Sequence, residues 1–113
     1  MAISIKAVSM PAIVMEPHEW EELARILRTY VQGRRVLAFG SRATGRRVRQ
    51  FSDLDIVIDG EALSMHEQAL LDEALDESPL PFKVDVVQMA WLTPEFRAGI
   101  EPELVLIQAA AKH

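Results

Sequence analysis

Between Pro17 and Val31 the apolar residues Trp20, Leu23, Ala24, Leu27, Tyr30 and Val31 recur at helical spacing, with Glu19, Glu21 and Glu22 early and Arg25 and Arg28 late. This pattern predicts an amphipathic helix that opens at Pro17, stops before Gly33, and places Trp20 and Tyr30 in the core. The period then changes. Val36 to Phe39 is a continuous apolar run ending at Gly40, as in a strand covered on both faces. A polar, basic stretch from residue 41 to 52 follows, and Leu54 to Ile58, bounded by Asp59-Gly60, reads as a second strand.

Ser64 and Glu67 have the spacing of a capping box, after which Ala69, Leu70, Ala74 and Leu75 give a helical stripe that ends at Ser78-Pro79. Lys83 to Gln88 is a third strand, and Thr93-Pro94 starts a short helix running through Phe96 towards Ile100. The apolar run Leu104 to Ile107 fits an edge strand or a helix. Helix, strand, strand, helix, strand, helix predicts an α/β (α+β) domain with helices mainly on one face of a sheet. At 113 residues, half of them hydrophobic, the chain suits a single domain, expected over residues 16–113 behind an extension at 1–15.

A net charge of -5 argues against general nucleic-acid binding. The absence of cysteine removes disulfides and thiolate metal sites, which favours a cytoplasmic protein. The N-terminal apolar run, broken by Pro11, is too short for a signal peptide or a membrane span. Against this acidic background, Arg34, Arg35, Arg42, Arg46, Arg47 and Arg49 are six of the twelve basic residues, all shortly before Asp53-Leu54-Asp55.

Alternation on the second strand turns Asp53 and Asp55 to one side while Leu54, Ile56 and Ile58 face the core. Two carboxylates about 6.6 Å apart along the backbone can bracket a pair of metal ions spaced about 3.5–4 Å, as in phosphoryl-transfer sites. With oxygen donors and none of the three histidines in this stretch, the ions expected are Mg²⁺ or Mn²⁺. Gly40 lets the backbone approach a ligand, Ser41 offers a hydroxyl and an N–H to phosphate, and Arg42 is suited to bidentate phosphate contact. Asp85, on the opposite side of its strand from Val84 and Val86, is the candidate third carboxylate. Asp59 reads as a turn former, and His18, His66 and His113 are poorly placed for base catalysis.

Gly40-Ser41, the Asp53-Leu54-Asp55 triplet and Asp85 in a later VDVV run resemble the signature of polymerase β-type nucleotidyltransferases. The segments GSRATG, FSDLDIVI and LPFKVDVV resemble, more narrowly, the minimal nucleotidyltransferases (MNT), one-domain members paired with a HEPN-domain protein. The resemblance spans about Trp20 to Ile107. It implies the polymerase β-like fold with a mixed sheet, two metal ions on Asp53, Asp55 and Asp85, and phosphates of ATP held at Gly40-Ser41. Asp85 also helps activate the attacking hydroxyl in this reading. The implied activity is transfer of AMP to a tyrosine of a HEPN toxin, with this chain as antitoxin. Two other readings share the same residues: adenylylation of a small molecule such as an aminoglycoside with help from a partner subunit, and neutralisation of a toxin by occlusion alone. Trp91 and Phe96 are candidates for core or for a partner-facing patch.

Overall fold

A computed structural model describes residues 10–111. Helix α1 (Pro17–Tyr30) leads to strand β1 (Val36–Phe39), a single-turn helix α2 (Ser41–Thr44), strand β2 (Leu54–Ile58), helix α3 (Met65–Asp76) and strand β3 (Val84–Gln88). A 3₁₀ turn at Met89–Trp91, helix α4 (Pro94–Ile100), a second 3₁₀ turn at Glu101–Glu103 and strand β4 (Val105–Gln108) complete it. The last apolar run is thus an edge strand. His113 lies outside the described residues.

The four strands form a mixed sheet in the order β3-β2-β1-β4. Strand β1 runs antiparallel to both β2 and β4, whereas β2 and β3 are parallel. Alternation gives each face a distinct load. Val36, Ala38, Leu54, Ile56 and Ile58 meet Leu23 and Leu27 of α1 and Leu71 of α3 in the larger core. On the other face, Leu37, Phe39 and Val57 join Met89 and Ile100 in a smaller cluster under the C-terminal turns. The two long helices therefore share one face, as the pattern predicts, and only the short α4 lies against the other.

Local punctuation follows the residues at each boundary. Pro17 opens α1, and a capping box forms between Glu16 and Glu19. Ser64 accepts a hydrogen bond from Glu67 N–H (3.1 Å) while Glu67 accepts from Ser64 N–H (2.9 Å), so α3 begins on the predicted box. Thr93 caps α4 by accepting from Phe96 N–H. Asp59 accepts from Gly60 N–H (2.8 Å) and pairs with Arg35 (2.7 Å), consistent with a turn former. Trp20 is buried, but Tyr30, the last residue of α1, is 38% exposed and is not a core residue. Of the expected extension, residues 10–15 fold onto the domain, with Ile13 in the larger core and Val14 N–H donating to the Arg42 carbonyl (2.8 Å).

Candidate active site

One end of the sheet collects the chemistry. β1 finishes there at Phe39, just before Gly40, and the other three strands start there, because β2 and β4 run against β1 and β3 runs alongside β2. Asp55 stands opposite Phe39 on one side and opposite Asp85 on the other. Side chains paired directly across a sheet share a face, so Asp55 and Asp85 project together. Asp53 lies just before β2, exposed, two residues ahead of Asp55. The three predicted carboxylates thus lie at one end of the sheet.

The electrostatics reflect this crowding. Burial pushes the Asp55 carboxyl above its ordinary pKa, and Asp85, Asp53 and Glu103 add to the rise, in that order. Lys83, just before β3, forms an ion pair with Asp85 at 3.3 Å and has its own pKa raised, chiefly by its side-chain hydrogen bond to Asp85. Among the described residues no three acidic side chains already stand at joint ligating distance. The donors are oxygens throughout, a set suited to hard divalent ions.

Gly40 sits against this cluster. Its φ is +82°, and a Cβ at that position would lie 2.5 Å from Asp55 Oδ2, so only glycine fits. The turn it makes starts α2, whose first residue, Ser41, is half-buried. Gly40 N–H donates to Glu103 Oε1 at 2.9 Å.

Arg42 departs from its predicted role. The residue is 4% exposed, and its guanidinium donates to the carbonyls of Ser52 (2.7 Å), Val14 (2.7 Å) and Gln50 (3.0 Å). It also stacks over the Phe82 ring, 4.1 Å from the centroid. A guanidinium committed to three carbonyls and an aromatic face is engaged within the fold, where the sequence pattern predicts a fork offered to phosphate. It fixes the segment that carries Asp53, through Ser52. Arg46, Arg47 and Arg49 are exposed on the connecting loop. Glu103 and Lys83 are the site residues that the sequence pattern did not single out. Lys83 could have been found from its i, i+2 relation to Asp85, since the strand predicted over Lys83 to Gln88 puts both on one face. Glu103 could not, because its place depends on the direction of β4.

A glycine-serine turn at a strand end, packed against Asp55 with Asp85 in register on the adjacent parallel strand, is the arrangement expected of a nucleotidyltransferase. Residues 21–110 match the family described as "Polymerase beta, Nucleotidyltransferase", and the chain belongs to that family. It is 40% identical over 96 residues to a probable protein adenylyltransferase MntA of Haemophilus influenzae, covering 81% of this chain and 83% of that protein. A toxin–antitoxin crystal structure with AMP-PNP superposes with a TM-score of 0.64 at 20% identity, covering 80% of this chain and 73% of that one. A chain from the complex of the tri-AMPylated Shewanella oneidensis HEPN toxin with its MNT antitoxin gives a TM-score of 0.62 at 17% identity, covering 85% and 74%. Both likenesses establish the fold.

Proposed function

We propose that this chain is a protein adenylyltransferase that moves AMP from ATP to a hydroxyl, a tyrosine in the first instance, of a HEPN-domain toxin, and so acts as its antitoxin. The observation that carries this reading is the packing of Gly40 against Asp55, with Asp85 in parallel register beside it. The MntA-like sequence supports a protein as acceptor. Asp53, Asp55 and Asp85 would hold Mg²⁺ or Mn²⁺. When bound, such ions offset the charge of the triphosphate and stabilise the attacking and leaving oxygens.

The chain's own residues supply position and proton handling. Ser41, at the turn, hydrogen-bonds phosphate through its hydroxyl and N–H. The acceptor oxygen attacks the α-phosphorus, the bond to the β-phosphate's bridging oxygen breaks, and pyrophosphate leaves. Asp85, in register beside Asp55, takes the acceptor's proton. Lys83, paired with Asp85 before substrate arrives, is free to turn to a phosphate oxygen.

The surface around the site supports a macromolecular acceptor. Trp91 is 69% and Phe96 46% exposed. The Phe96 ring meets Phe39 edge-on at 6.1 Å, and Phe39 is the cross-strand neighbour of Asp55. A partner covering Phe96 is therefore brought to the aspartates. Among the described residues no helix is long and apolar enough to cross a membrane. Incubation with ATP, Mg²⁺ and the partner, followed by intact mass measurement and peptide mapping, should show AMP on a partner tyrosine. Chelation with EDTA should abolish it. Transfer that persists in EDTA contradicts the metal assignment, and a partner left unmodified contradicts the acceptor.

A further inference from the structure

Glu103 ends the 3₁₀ turn that precedes β4, and its carboxylate accepts the N–H of Gly40 across 63 residues of chain. The backbone ladder between β1 and β4 pairs Ala38 with Val105, so this side chain continues the strand pairing where the backbone ladder stops. The bond falls on the residue whose Cα lies against Asp55. Its half-buried carboxylate lies near enough to Asp55 to add, after Asp85 and Asp53, to the charge crowding on that residue, where another negative charge is unfavourable without a compensating donor. A leucine or alanine at position 103 would avoid that repulsion and leave Gly40 N–H unsatisfied.

We propose that Glu103 is a positioning residue of the phosphate-binding turn, fixing Gly40 against Asp55 by accepting its N–H; this rests on the transferase reading above. The hydrogen bond fixes one flank of the turn while Asp55 bounds the other. Ser41, the next residue, is then held at a set distance from the carboxylates. Glu103 acts through Gly40 and touches neither nucleotide nor acceptor.

Three substitutions separate reach from charge. Glu103→Gln keeps an acceptor oxygen at the same length and removes the charge. Glu103→Asp keeps the charge and withdraws the oxygen by one methylene, and Glu103→Ala removes both. Affinity for MgATP, measured by calorimetry without any acceptor, should fall about ten- to a hundredfold in Ala and Asp variants. It should recover to within about threefold in the Gln variant. In transfer assays the loss should appear mainly in KM for ATP, whereas a partly unfolded preparation would lose kcat at unchanged KM. Should Glu103→Ala fail to fold, the Asp and Gln pair carries the same comparison. Wild-type affinity in the Asp variant, or a Gln variant as weak as Ala, overturns the proposal. Wild-type protein that binds MgATP but transfers nothing sinks the transferase reading instead, and Glu103 is still judged by the affinities.

Discussion

At the scale of single residues, Asp55 is held at a cost when it is charged, because it is half-buried and faces Asp85, Asp53 and Glu103. Its folded pKa lies above its unfolded one, so over that window the folded state binds more protons and stability falls as pH rises. Without divalent cations, Asp55→Asn should therefore melt a few degrees above wild type at neutral pH. The gain should shrink on acidification and vanish below the ordinary carboxylate value of about 3.9. Melting curves across that range check this; a variant less stable at every pH contradicts it. Asp55 and Asp85 were legible in the sequence because strand alternation alone sets their face. Arg42 was not. Arginine's planar fork suits phosphate and a cage of carbonyls equally, and its three acceptors, Val14, Gln50 and Ser52, come from irregular segments whose paths no period encodes.

At the scale of elements, the turn between β1 and α2 is where backbone geometry becomes chemistry. Gly40→Ala meets both a positive φ and Asp55 Oδ2 at 2.5 Å, so it should push turn and carboxylate apart. Gly45→Ala has a similar φ, +77°, and open space, and should show only the backbone cost of about 1–2 kcal/mol. Transfer should drop at least about tenfold in the first and little in the second, once both are corrected for folded fraction by melting. Equal effects in the two would mean that contact with Asp55 is unimportant. The long helix, the first three strands and the Ser64 box were readable from periodicity and capping chemistry. Helix α2 was not, since four residues hold no period, and the Glu16 box was missed because glutamate is an unusual N-cap. β4 stayed ambiguous for the same reason of length, which hid Glu103.

At the scale of the molecule, a mixed sheet brings residues from position 40 to position 103 to one end, and the aspartates there should work as one unit. The order of helices and strands was readable from the chain, and the family resemblance supplied the aspartates' joint role. The strand order β3-β2-β1-β4, which sets Asp85 beside Asp55, became visible only in the structure. The most direct test of the account is single-turnover AMP transfer to the partner by wild type, Asp55→Asn, Asp85→Asn and the double variant. All four should be folded by melting and mixed with MgATP. Each single substitution should slow transfer at least about a hundredfold, and the double variant should be no more than about threefold slower than the worse single one. An Asp55→Asn variant that transfers AMP at the wild-type rate, or that still neutralises the partner as well as wild type does, contradicts the account.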